Sequence, residues 1–109
     1  MRPVLLFTLA LGCAHTAKGP VDTRPRLARA EAKAIVQAEL ATPTADTTVL
    51  SAGEAAYRAH CDRCHDFEAP AAYGRGDWED ILPEMVRESR VDAMEARAIS
   101  AWVLAGAGK

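Results

Sequence analysis

Cys61-Asp62-Arg63-Cys64-His65 is the stretch on which the reading of this chain turns. Two thiols three residues apart share a face of a helical turn, and an imidazole follows the second directly. Three chemistries use such a pair. A thiol redox site would want a strand ahead of it, and no segment alternates polar and apolar residues as a strand does. A zinc site would want a second ligand pair, and none is spaced for one. Covalent haem attachment needs only what is present: two thiols able to reach the two vinyl groups on one porphyrin edge, and a histidine placed to ligate the iron. The expected cofactor is one covalent haem c per chain, held by Cys61 and Cys64, with His65 on the metal.

Outward from this motif the chain reads as helical. Ser51-Ala52-Gly53-Glu54 has the spacing of a capping box, so a helix is expected to start there and run into the cysteines. A loop rich in Ala, Gly and Pro follows from about Glu68 to Gly76. Asp77 can cap a second helix through Trp78, Ile81, Met85 and Val86, bent by Pro83. Asp92 can cap a third, with Ile99, Trp102 and Val103 as its buried stripe and its end at Gly106. Upstream, Arg26 to Leu40 is dominated by Ala, Leu, Glu and Arg. Its stripe of Leu27, Ala30, Ala34, Ile35 and Ala38 would bury little area, so this helix is expected to stand apart between two linkers, the second from Ala41 to Thr48.

The chain has 109 residues, half of them apolar, which suits one modest domain. A formal charge of −2 with scattered basic residues gives no footprint for nucleic acid. Met1-Arg2-Pro3 and the apolar run Val4–Leu11 have the layout of a secretion signal and are too short to span a bilayer. Leu9-Ala10-Leu11-Gly12-Cys13 resembles the lipobox of bacterial lipoproteins, with Ala10 and Leu11 in the places that usually hold leucine and a small residue. The resemblance implies that Cys13 is acylated, and none of the three cysteines is then left as a free thiol in an oxidising compartment. The expected division is a signal peptide over 1–12, a lipid-anchored linker over 13–50 containing the 26–40 helix, and a haem domain over 51–109.

From Ser51 to Leu104 the sequence resembles the class I cytochrome c family. That family carries a glycine and an aromatic residue eight and four places before the first haem cysteine, where this chain has Gly53 and Tyr57. It packs that first helix across its last, which implies Ile99 and Trp102 as partners here. The run from Trp78 to Met85 looks like the tryptophan-to-methionine segment of small bacterial members, implying Met85 as the second axial ligand, with Met94 packing the core. A soft sulfur donor opposite histidine raises the reduction potential. The family's loop proline implies that the Pro70 carbonyl receives the other ring proton of His65, fixing its tautomer. Tyr73, Arg75 and Trp78 are candidates for haem propionates. His60 and His15 are expected to be exposed bystanders.

The fold so implied is all-α: a class I cytochrome c-like domain of about three to four helices around one covalent haem, preceded by a tether and an isolated helix. A unit of roughly 55 residues buries little apolar surface, so the porphyrin is expected to act as a staple whose removal leaves the domain largely unfolded. The implied function is electron transfer between a redox donor and acceptor by a monomer that is not an enzyme. It would sit in the periplasm, anchored through Cys13 to the inner or the outer membrane. The alternatives are a haem-based gas sensor with an open sixth position and the electron-entry subunit of a larger oxidoreductase. Replacing Cys13 by serine is expected to release the protein from the membrane fraction while leaving its visible spectrum unchanged, since several acyl chains anchor firmly where none anchors at all. Fractionation of cells expressing both forms, followed by absorbance of each fraction, checks this.

Overall fold

The computed structural model describes residues 21–109. The expected leader, Cys13 with its expected acylation, and His15 lie outside the described residues. Four helices follow in order: α1 (Arg29–Ala41), α2 (Thr47–His60), α3 (Arg75–Glu88) and α4 (Ala93–Gly106). Among the described residues there is no strand, only an isolated parallel bridge between Gly74 and Gly108. No described helix is long and apolar enough to cross a membrane.

The start of α2 lies four residues before the expected capping box. Asp46 accepts from the Thr48 amide at 2.8 Å and takes the N-cap position, which leaves Ser51 inside the helix and Glu54 paired with Arg58 at 3.1 Å. An acidic cap earlier in the chain prevails because the helix gains a turn without losing a satisfied amide. At α4 the expected cap holds: Asp92 accepts from Glu95 N at 2.8 Å and Glu95 accepts from Asp92 N at 3.1 Å. In α3, Asp77 works from the third helical position, accepting from the Gly74 amide at 3.2 Å, and the helix continues past Pro83 to Glu88.

The closest packing is between α2 and α4. A Cβ built on Gly53 would lie 1.9 Å from the Ala98 carbonyl oxygen and 2.9 Å from Trp102 Cβ, so only glycine permits the two backbones to touch. One turn further along, the Tyr57 and Trp102 rings meet with centroids 5.1 Å apart. Trp78, Leu82 and Val86 of α3 join Ile99, Val103 and Leu104 of α4 in the core.

α1 is not isolated. Ala32, Ile35 and Val36 are buried against α3 and α4, whereas Ala30, Ala34 and Ala38 of the expected stripe are exposed. The β-branched pair wins because burying Ile35 and Val36 yields about 1.5–3 kcal/mol each, and an alanine far less. The segment before α1 is also laid on the domain. Asp22 reaches Arg63 at 3.3 Å, Arg26 reaches Glu88 at 2.9 Å, and Arg87 Nε donates to the Leu27 carbonyl at 3.1 Å. With these elements included the folded unit is much larger than the one starting at Ser51, which weakens the argument that it needs a staple. Met94, expected in the core, is 77% exposed. It stands on the first turn of α4, on the side away from Ala96 and Ile99.

Gly53→Ala is expected to force α2 and α4 apart and cost about 3 kcal/mol, the upper end for overpacking, lowering the melting temperature by roughly 12 °C or more. A thermal melt followed by far-ultraviolet circular dichroism measures it.

Candidate functional site

α2 ends where the motif begins. The Cys61 amide donates to the Tyr57 carbonyl, and the chain tightens into a short 3-10 turn over Cys61–Arg63. The tighter turn buries Cys61, at 5% exposure, and leaves Cys64 and His65 at the surface. Burial pushes the Cys61 thiol up to about 11, with the Asp62 and Cys64 charges adding to the effect.

Across from the motif stands α3, whose two faces do different work. Trp78, Leu82 and Val86 point into the core, while Ile81 and Met85 face the motif, and Ser89 at the helix end joins them. Between them lies a predominantly apolar cleft of about 370 Å³ that Cys61, Cys64, His65 and Met85 all line. A second lobe of about 280 Å³ continues from it, lined by His65, Glu68, Tyr73, Trp78, Ile81 and Met85. His65, Ile81 and Met85 therefore border both spaces. Met85 is thus brought to the same cleft as Cys61, Cys64 and His65, from twenty or more positions further along the chain. Met94 is not among them; it borders a separate groove between α1, α2 and α4.

The loop after His65 is fixed to the helices at successive points. Tyr57 Oη donates to the Glu68 carbonyl at 2.7 Å, and Phe67 stands edge-on to the Tyr57 ring with the Arg58 guanidinium 4.5 Å above its own face. Trp78 Nε1 donates to the Pro70 carbonyl at 2.8 Å. That carbonyl is consequently engaged by tryptophan rather than by His65, whose Nδ1 lies 2.7 Å from the Asp66 carbonyl instead. An Nδ1–H donated there leaves Nε2 as the free lone pair. Of the three propionate candidates, Trp78 is committed to Pro70, and Arg75 Nη1 donates to the Leu104 carbonyl at 3.3 Å. Tyr73 stays in the second lobe, its ring 5.2 Å from that of Trp78.

His60 is not the exposed bystander expected. Its side chain is 14% exposed and lines the cleft, with Nε2 3.2 Å from Glu95 and Nδ1 2.8 Å from Arg63. Its partner Glu95 is 35 residues away, so nothing local marked it. Ile81 and Ser89 were also missed as site residues, although their spacing of four on either side of Met85 places all three along one helix face.

Among the described residues no group of three or more His, Cys, Asp or Glu side chains is disposed to hold a metal ion. Besides its carboxylates, the donors in the cleft are two thiols, two imidazoles and one thioether, and the His60 imidazole is already engaged at both nitrogens by Glu95 and Arg63, which leaves that of His65. That set suits a flat apolar group that brings most of its own metal ligands and takes two covalent tethers and two axial donors from the protein. Carboxylates of Glu68, Asp80, Glu84 and Glu88 stand around the two lobes, and no lysine or arginine lines either. In comparisons with protein-family models, curated proteins and solved structures, nothing matches this chain.

In the chain with free thiols, the raised Cys61 value makes the neutral thiol the form the fold accommodates. Stability from this group is complete below about pH 9.0 and is lost as pH rises towards about 11, while Tyr57, raised to about 12, adds a later loss. Urea unfolding at pH 8 and pH 10.5 is expected to show a loss of about 2 kcal/mol that Cys61→Ala removes. Converting the thiol to a thioether is expected to remove it as well.

Proposed function

We propose that this chain is a monohaem c-type cytochrome that carries single electrons outside the cytoplasm, with Cys61 and Cys64 as thioether attachments and His65 and Met85 as axial ligands. The observation that carries the reading is the convergence of those four side chains on one apolar cleft. The bound haem would supply an iron that alternates between two oxidation states. Everything else in the site is the work of the chain: Ile81 and Met85 present an apolar wall that keeps water from the group's face, and the Asp66 carbonyl orients the His65 ring. Of the surrounding carboxylates, Glu84 is paired with Arg29 and Arg87 and Glu88 with Arg26, so Glu68 and Asp80 would supply the negative charge near a bound metal, which would favour the oxidised state and oppose the upward pull of the methionine sulfur. The α2–α4 crossing at Gly53, with Tyr57 on Trp102, supports a class I-like arrangement of the helices. The partners are a redox donor and acceptor, and acylated Cys13 would hold the monomer to the membrane on the periplasmic side.

The deciding experiment is a visible spectrum, before and after dithionite, of protein matured with haem-attachment machinery. The protein is expected to show a reduced c-type spectrum, and the Cys61→Ala/Cys64→Ala double variant to retain no haem through acid-acetone extraction. Met85→Ala should lose the sulfur-to-iron charge-transfer band, fall in potential and bind carbon monoxide when reduced. Met94→Ala should do none of these and, being exposed, should change stability by less than about 0.5 kcal/mol. Haem surviving extraction from the double variant would refute the attachment sites. Carbon monoxide binding by the unmodified protein would favour the gas-binding alternative.

A further inference from the structure

The short segment after α4 folds back onto the loop that walls the second lobe. Gly108 N donates to the Tyr73 carbonyl at 2.8 Å, and Gly74 and Gly108 pair as a parallel bridge. A Cβ at Gly108 would sit 2.7 Å from the Ala71 carbonyl oxygen and 3.2 Å from that of Tyr73. Both are backbone atoms and cannot swing aside as a flexible side chain could. At the end of α4, a Cβ on Gly106 would come within 3.0 Å of Pro70 Cβ. The contacted loop carries the carbonyl that holds Trp78 and the Tyr73 ring that stands in the lobe with His65 and Met85.

We propose that Gly106 and Gly108 form a positioning clasp: they let the chain after α4 lie flat against Pro70–Tyr73, keep that wall closed, and so limit the access of small ligands to the position Met85 holds. The proposal rests on the haem reading above. The clasp can control access because the loop has no regular structure beyond one short turn, Pro70–Ala72, and owes its place to a few bonds from outside itself. Segments held this way open locally at low cost, and losing one backbone bond changes the opening equilibrium directly.

The test uses the full chain with haem attached. Gly108→Ala is compared with the milder Gly106→Ala, and with Gly76→Ala, where a Cβ meets nothing within 4 Å. Two quantities are read well below the melting temperature: deuterium uptake by peptides covering residues 69–74, and the rate at which imidazole binds the oxidised protein. Gly108→Ala is expected to raise both by roughly tenfold. Gly106→Ala should shift both in the same direction by less, and Gly76→Ala should shift neither. Faster exchange without faster imidazole binding would overturn the proposal, leaving the contact purely structural, and so would no change in either. If Gly108→Ala does not fold, Gly106→Ala decides. If the unmodified protein holds no covalent haem, the functional reading fails, and the clasp is judged on deuterium uptake alone.

Discussion

Gly53 and the Ala98 carbonyl set the geometry on which the remaining structure depends. Because a Cβ has no room there, the backbones of α2 and α4 lie in direct contact. A contact this close allows little sliding or rotation, since interiors are packed to near-crystalline density. It fixes where α2 ends, and hence where the 3-10 turn projects Cys64 and His65. The Tyr57 ring, one helical turn beyond Gly53, extends this control. It packs on Trp102 with one face, and its hydroxyl holds the loop after His65 through the Glu68 carbonyl.

Against that frame α3 is placed by its own inner face. Trp78, Leu82 and Val86 are fully buried, so the helix cannot rotate without exposing large apolar surface. With the inner face fixed, helical periodicity turns Ile81 and Met85 to the motif. α1 packs on both α3 and α4 and adds Ala32, Ile35 and Val36 to the same core, so the helix that carries the candidate ligand is held by two neighbours. The chain entering α1 ties down the motif itself, through Asp22 on Arg63 within the two-residue gap between the cysteines. Arg63 in turn reaches the His60 ring, whose other nitrogen meets Glu95 at the start of α4. These pairs at or near the surface are individually weak, but together they join the entering segment, the cysteine-bearing turn and α4 into one polar seam.

Two readings failed for the same reason. Met94 lies on a helix and is apolar, and α1 carries many alanines. The family resemblance places the first inside, and residue type places the second apart. In the fold Met94 sits on the outer side of α4's first turn, because the Asp92 cap and buried Ala96 and Ile99 fix the rotation of that helix. α1 docks through Ala32, Ile35 and Val36 because two β-branched residues outweigh a longer row of alanines. In each case the deciding quantity was which face another element covers, which no single segment carries. The Pro70 carbonyl is similar: its position in the loop was legible, but the competing Trp78 donor comes from the next helix.

Gly53 at the crossing and Met85 in the cleft were read only through resemblance to a family; the residues by themselves determined the all-helical class, the α4 cap at Asp92 and the grouping of Cys61, Cys64 and His65. The latter are signals carried by spacing within one turn. Tertiary structure alone decided that α1 belongs to the core, that His60 borders the cleft, that Met94 does not, and that the chain after α4 closes the loop wall. Such facts depend on pairs of residues tens of positions apart. Their meeting is set by the packing of whole helices, so no local pattern in the chain records it.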